Sequence, residues 1–490
     1  MKKIASINLA LACLIPSASV FAAAMDRSGQ SISAFLQPNN YAEAGISILD
    51  ADVSGRENAP GYNRKIDDMA DSYVFANAAV KAQVNDRFSV GLIYDQPLGA
   101  KATYNGDNFL VSDRGTDQIL APSRIPDMIN TAFNRLTPQE RVGAALKAQG
   151  VDLTSPQGQA QFEGTLKAYN ADPTVKESID KGVHAGLTAT VNGVISLANQ
   201  NLGLGGTHVD VNTHNFALMV GFKPVDNITL YAAPVYQTVK GTLSLRGNVA
   251  SVFNGYDATF KETGDIGWLA GAAFEIPEIA LKTSLTYRSK ISHDVETVEN
   301  LSSAAQIRLL FPTLDLSPGI TKVKTPQSVN LDFQTGIMEN TVAFANFRWV
   351  DWNSFGIRPH TFGKISEVVG PQLGRPNGFD IIAYTKDQWS VNAGVGRKLN
   401  DHWAGTLSAG WDSGAGNPVS SLGPTKGYTN VGIGLQYSPT PAYFVAGGVK
   451  YFWLGDVDAQ ISSQAGTSDS VAKFEDNTAI AYGLKMGYRF

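Results

Sequence analysis

The chain predicts an all-β protein: a 14-stranded antiparallel transmembrane β-barrel with a short N-terminal segment before its first strand and a large helical extracellular insertion. Three observations predict it. The last stretch, Thr478 to Phe490, alternates without exception. Ile480, Tyr482, Leu484, Met486, Tyr488 and Phe490 form one face; Ala479, Ala481, Gly483, Lys485, Gly487 and Arg489 form the other. Successive strand side chains point to opposite faces, so one face is apolar with aromatics near both ends, as a lipid-facing wall requires. The composition agrees: 48 glycines, 10% aromatics and a mean hydropathy of −0.09, with no run long enough for a membrane-crossing helix. The third observation is a strict alternation of short and long connections, set out below.

Met1-Lys2-Lys3, the mainly apolar Ile4 to Val20 and the Ala22-Ala23-Ala24 site read as a secretory signal peptide over 1–24. The single cysteine, Cys13, lies inside it, so the rest of the chain has no disulfide or thiol chemistry. A lipoprotein reading of Leu9 to Cys13 is weaker, because the apolar run continues past the cysteine. Loss of Lys2 and Lys3 leaves 37 basic against 44 acidic residues and moves the net charge from −5 to −7, which argues against a nucleic-acid partner. Residues 25–40 show no period and end in the turn-like Pro38-Asn39-Asn40. They read as a short segment preceding the first strand, with Phe35 and Leu36 as candidates for lining a lumen pocket.

The barrel is expected over 41–490. Its strands are read at 41–53, 70–84, 87–104, 207–222, 228–246, 258–275, 280–297, 327–337, 341–352, 388–398, 403–412, 428–438, 443–456 and 477–490. Val431, Ile433, Leu435 and Tyr437 oppose Gly432, Gly434, Gln436 and Ser438, and Trp389, Val391, Ala393 and Val395 oppose Ser390, Asn392, Gly394 and Gly396. Every even-numbered connection is short and carries turn chemistry, as at Asn85-Asp86, Lys223 to Asn227, Leu399 to His402 and Pro439-Thr440-Pro441. The odd-numbered ones are long. Outer-membrane barrels have that asymmetry, with short periplasmic turns and long outer loops. In lipid no backbone group can be left to water, so the sheet must close. An even strand count puts both termini on the periplasmic side.

The insertion at 105–206 holds three helix starts: the capping box Thr137-Pro138-Gln139-Glu140, then Ser155-Pro156 and Asp172-Pro173. Apolar residues follow at helical spacing: Ile125, Met128, Ile129 and Phe133; Phe162, Leu166 and Tyr169; Val191 and Ile195. They either form a groove for an apolar ligand or pack on one another and cap the barrel.

No G-x-S-x-G, P-loop, H-E-x-x-H or metal-spaced Cys/His set occurs, and no cofactor is implied. His208 with Asp210 and Asp401 with His402 read as solvated loop or strand-end residues rather than catalytic pairs. By strand parity Arg288, Lys240 and Lys485 face inward, with Arg348 a further candidate. Such cations could partner a carboxylate inside an apolar pocket.

Several stretches resemble the FadL family of outer-membrane channels for long-chain fatty acids and other hydrophobic compounds. They are Tyr41 to Asp50 with Val53-Ser54-Gly55, Leu285 to Ser289, Thr325 to Val329, Trp349 to Phe355, and the Phe490 ending, which also resembles the signal read by the barrel assembly machinery. The resemblance implies a monomeric outer-membrane channel, not an enzyme. It would be held in lipid and lipopolysaccharide and take up a hydrophobic molecule passively. Most of all it implies a long-chain fatty acid; an alkane or aromatic ligand stays open. A lipid-acting enzyme and a water-filled porin are the alternatives. Capture is expected at the outer loops and exit through an inward kink of the third strand, with exit downward past a short plug as the alternative. Here Pro97 cannot donate to a ladder and Gly99 carries no side chain, so Asp95, Gln96, Pro97, Leu98 and Gly99 mark the candidate opening. Lys240 sits in Val235 to Lys240, which resembles the family's fifth strand, a source of an inward basic contact. The resemblance makes 25–40 a short N-terminal lumen plug; the family's plug is longer and carries Asn-Pro-Ala. Here Gln37-Pro38-Asn39 stands in its place, which puts the gating in question and not the class.

Overall fold

The computed structural model describes residues 25–59, 61, 63–112, 118–119 and 122–490; the expected signal peptide lies outside them. Seventeen strand segments share one sheet and make fourteen staves, because the third, seventh and eighth are each interrupted once. They are β1 (Tyr41–Asp52), β2 (Tyr73–Gln83), β3 (Phe88–Asp95 and Gly99–Thr103), β4 (His208–Val225), β5 (Ile228–Leu245), β6 (Tyr256–Ile276) and β7 (Leu281–Arg288 and Ile291–Leu301). The other half is β8 (Ile320–Thr325 and Ser328–Met338), β9 (Thr341–Val350), β10 (Gln388–Lys398), β11 (Trp403–Asp412), β12 (Tyr428–Thr440), β13 (Tyr443–Leu454) and β14 (Thr478–Arg489). β1 pairs with β2 on one side (Tyr41↔Lys81) and with β14 on the other (Tyr41↔Arg489), so the sheet closes without an edge.

The expected alternation of connections holds. The tight turns include Asp226-Asn227, Glu339-Asn340 and Pro441-Ala442. Outward side chains such as Leu407, Ile433 and Met486 are exposed, as lipid contact demands. Trp349, Trp389, Trp411 and Trp453 stand near the long-loop ends of their strands, and Phe88, Trp403, Tyr437, Tyr443 and Tyr488 near the short turns. These are the two aromatic girdles of a membrane barrel.

β7 and β8 run further outward than the expected 280–297 and 327–337. Each resumes beyond a break, at Ser289-Lys290 and at Pro326-Gln327, where Pro326 has no N–H to give. The insertion carries α1 (Ile125–Arg135), α2 (Pro138–Ala148), α3 (Pro156–Ala171) and α4 (Pro173–Asn199). The three expected caps are present: the Thr137/Glu140 box, Ser155 accepting from the Gly158 N–H, and Asp172 accepting from the Thr174 N–H. Two outer helices were not foreseen, α5 (Ala304–Leu310) and α6 (His360–Val369), nor was a small five-stranded sheet made from the outer loops.

The wall is interrupted twice, for one physical reason. Residues opposed in an antiparallel pair must point to the same face. On β3, Asp95 pairs with Asn215 but Gly99 with Asn212, so Gln96, Pro97 and Leu98 oppose only Thr213 and His214. That odd residue reverses the facing of β3, while β2 keeps Tyr73 and Phe75 inward. Ala78↔Tyr94 and Ala70↔Ala102 are paired, but no ladder joins 72–77 to 95–100. On β6 the facing reverses at Lys261-Glu262, whereas on β7 it reverses at Ser289-Lys290. Phe260↔Thr297 and Leu269↔Arg288 are paired, and no ladder joins 261–267 to 290–296. That second slit is bridged by side chains: the His293 ring comes within 3.3 Å of Asp265, and Ile291 lies over Gly267.

Candidate functional site

The segment 25–40 lies in the lumen. Ile32, Phe35 and Leu36 pack on Ile93, Met219, Tyr231 and Leu269 of the wall. Gly91 and Gly221 make the seat: a Cβ on either would come within 2.9 Å of the Phe35 ring. Polar anchors hold the rest. Arg348, on β9, sets Nε 2.6 Å from Asp26 Oδ2 and donates to Asn330 Oδ1 at 2.7 Å and Gln30 Oε1 at 3.0 Å. Arg288 donates to the Gln30 carbonyl at 2.8 Å, and Ser28 to Asp95 at 2.7 Å.

The kinked part of β3 is bound to this segment rather than to β2. The Arg27 N–H donates to the Pro97 carbonyl at 2.6 Å and the Gly99 N–H to the Met25 carbonyl at 2.9 Å. Leu98 gives its N–H to the Thr213 hydroxyl at 2.9 Å and accepts that hydroxyl's proton at 2.7 Å. Gln96 reaches across the slit and accepts from the Ala76 N–H at 2.8 Å. Tyr73 passes over Gly99, where a Cβ would collide with its hydroxyl, and donates to Asn212 at 2.8 Å. Asp95, Gln96, Pro97, Leu98 and Gly99 are thus one unit joining wall to plug. The slit beside them is spanned by side chains, and Val74 stands exposed on its lipid side.

Above the plug lie two apolar cavities. The outer one holds about 300 Å³. The roots of α1 and α4 (Met128, Ile195), the loop 248–253, α5 (Ile307) and α6 (Ile365, Val369) enclose it. Arg124 is exposed at its rim. Phe253, which lines it, stacks on Phe362 behind it at 4.2 Å. The inner one, of about 50 Å³, lies between Met25, Arg27, Met69, Val211, Phe260 and Tyr384, beside the kink. A third, more polar cavity of about 220 Å³ lies between the plug and the far wall. The insertion splits in function: α1 and α4 help to build the outer cavity, whereas Val142, Leu146 and Tyr169 pack only on their own helical neighbours.

Of the lumen residues expected from the sequence, Phe35, Leu36, Arg288, Arg348 and Lys485 do face the interior, but their partners are protein. Lys485 pairs with Glu43 at 3.1 Å. Lys240 is a correction. β5 turns its odd-numbered residues inward (Tyr231, Ala233, Val235, Gln237 and Val239), so Lys240 lies on the outer face, 3.6 Å from Glu262. Sequence reasoning missed Arg124, Thr213, Asp26 and α6. Only α6 left a signal, the helical spacing of Phe362, Ile365 and Val369.

Residues 198–490 match the family model described as outer membrane protein transport protein (OMPP1/FadL/TodX). Among solved structures, a Pseudomonas aeruginosa FadL homologue aligns at TM-score 0.59 and 13% identity, over 99% of this chain and 98% of that one. The Pseudomonas putida toluene transporter TodX aligns at TM-score 0.54 and 10% identity, over 97% and 98%. At such identities the likeness shows the fold alone. No curated protein matches the sequence.

Proposed function

We propose, for a chain that belongs to the FadL/TodX family of outer-membrane transport proteins, that its cargo is a long-chain fatty acid and that the cargo leaves the lumen sideways between β2 and β3. The family fixes the coarser statement: a channel of the bacterial outer membrane for hydrophobic molecules, and not an enzyme. The observation that carries the finer reading is the outer cavity, mostly apolar in its lining, with the exposed guanidinium of Arg124 at its rim while the second one, Arg246, is paired with Asp257. Its 300 Å³ sits at the lower bound of ordinary ligand sites, about 300–1,000 Å³. An alkyl chain can lie among Met128, Ile195, Ile365 and Val369 while its carboxylate stays at Arg124 in water's reach.

The route then descends. The inner cavity, at about 50 Å³, is far smaller than the roughly 150 Å³ that holds benzene in an engineered core, so cargo must displace Met25 or its neighbours to enter. Those residues bond directly to the kink, so the movement that admits cargo also loosens Gly99 and Pro97. Lateral release delivers an apolar molecule to hydrocarbon, whereas release downward would return it to water. Each buried CH₂ is worth about 0.8 kcal/mol, so the direction is set by solvation and needs no energy source.

The test is uptake of oleate by a bacterium stripped of its own fatty-acid channels. The chain should restore growth on oleate, and Arg124→Ala should weaken oleate binding while sparing an uncharged hydrocarbon. Replacing Asp95 to Gly99 by a regular alternating segment should stop uptake and leave binding intact. Restored growth on toluene alone would overturn the cargo; unchanged uptake with the regular segment would overturn the exit.

A further inference from the structure

The polar cavity of about 220 Å³ beside the plug has four lysines at or near its wall, and three of them are committed. Lys485 pairs with Glu43 at 3.1 Å, Lys282 reaches the Leu36 carbonyl and Glu275, and Lys81 donates to the Gln37 carbonyl at 2.6 Å. The fourth, Lys450 on β13, is different. It is buried, at 7% exposure, yet its one hydrogen bond is a long one of 3.4 Å to Asn392 Oδ1, and among the described residues no carboxylate pairs with it. Space has been made for it: a Cβ on its cross-strand neighbour Gly432 would press within 2.7 Å of its stem and 2.9 Å of the Ser408 hydroxyl. Around it stand further buried polar atoms with unused capacity, Ser408 Oγ and Asn430 Oδ1. A buried ammonium without a counter-charge is costly, and an anion that hydrogen-bonds to it removes that cost.

From this geometry we infer that Lys450, with Asn392 and Ser408, forms an anion site in the lumen that holds the carboxylate of an amphiphilic cargo opposite the β2/β3 slit. The cavity gives the arrangement its direction. Lys450 and Asn392 bring β13 and β10 to its lining, and Phe75, Ala76, Ala78, Ile93 and Tyr94, the residues at the foot of the slit, bring β2 and β3. A hydrocarbon tail lies toward the slit while the head is held at Lys450. The site therefore sorts carboxylates from neutral hydrocarbons after capture, at a place distinct from Arg124. It rests on the reading of the protein as a fatty-acid channel, and the experiment separates the two.

The experiment compares dodecanoate with dodecanol on the purified, detergent-solubilised protein. They share a tail and differ in charge. The unmodified protein should bind dodecanoate about 10- to 100-fold more tightly, as a charge-assisted hydrogen bond allows. Lys450→Met should lose that preference and keep dodecanol affinity, Lys450→Arg should retain it, and Arg124→Ala should leave a saturable Lys450-dependent fraction. Heat-modifiable electrophoretic mobility reports whether each barrel is folded. If Lys450→Met fails to fold, the unmodified protein still decides: magnetic-resonance distance measurement with ¹³C-carboxyl dodecanoate and ¹⁵N-lysine should find one close contact, and it should persist in Arg124→Ala. A folded Lys450→Met that keeps the full preference, or no lysine contact at all, overturns the site. Failure of the protein to bind either probe overturns instead the fatty-acid reading on which it rests.

Discussion

Replacing Arg348 by methionine tests whether the lumen arginines hold the plug or the cargo. The guanidinium is buried on β9, with Nε 2.6 Å from Asp26 Oδ2 and its other nitrogens on Asn330 and Gln30. Asp26 is itself only 1% exposed. Removing the cation leaves that carboxylate buried and unmatched, a loss of about 3–5 kcal/mol. At about 1.4 kcal/mol per tenfold, the plug should leave its seat roughly two to three and a half orders of magnitude more often. Replacing both partners by apolar residues is often close to neutral, so Arg348→Met with Asp26→Leu should recover most of the loss. Ion conductance across planar bilayers reads the outcome. The single variant should conduct in frequent bursts, the double variant should be quiet, and oleate binding at the outer cavity should not change. A quiet single variant with weakened oleate binding would refute the reasoning and return Arg348 to the cargo.

Phe35→Ala empties the seat formed by Gly91 and Gly221 and should cost about 3–5 kcal/mol of plug docking, seen as faster proteolytic nicking within 25–40. Thr213→Val removes both hydrogen bonds that fix Leu98 and should loosen the kink by about 1–3 kcal/mol, raising uptake and hydrogen exchange at Leu98 and Gly99. Outside the membrane, hydrogen bonds from Thr137, Thr154 and Thr174 hold the carboxyls of Glu140, Asp152 and Asp172 below their ordinary range. Depressed values mean that this support is complete above the ordinary range, about 4, and is lost as pH falls through the lowered values. Helical ellipticity should therefore decline on acidification from about pH 4 downward, and an Asp172→Asn variant should show a smaller decline.

Much of the wall was legible because lipid enforces a simple rule. An outward residue inside the band must be apolar, so the two-residue period of β14 or β12 states both strand and facing. Caps were legible because they are local: Thr137 with Glu140, Ser155 with Pro156, Asp172 with Pro173. Pro97 announced the kink because it has no hydrogen to give. The rule fails where the wall leaves the hydrocarbon. At the level of Lys240 an outward residue no longer has to be apolar, so its charge ceased to report its direction, and the inward reading was wrong. The plug's anchors were illegible for another reason. Asp26 and Arg348 lie 322 positions apart, and no local pattern joins a side chain to a partner that only closure of the whole cylinder brings near.

Both slits arise from strands whose facing reverses at different heights, and on β3 and β6 the reversal takes a single unmatched amino acid. Gain or loss of one codon in a stave is therefore enough to create or remove such an unpaired stretch, with the girdles and the turns below left untouched. A lineage of these barrels can move its weak seams around the circumference in single mutational steps, with no intermediate that has to abandon the membrane.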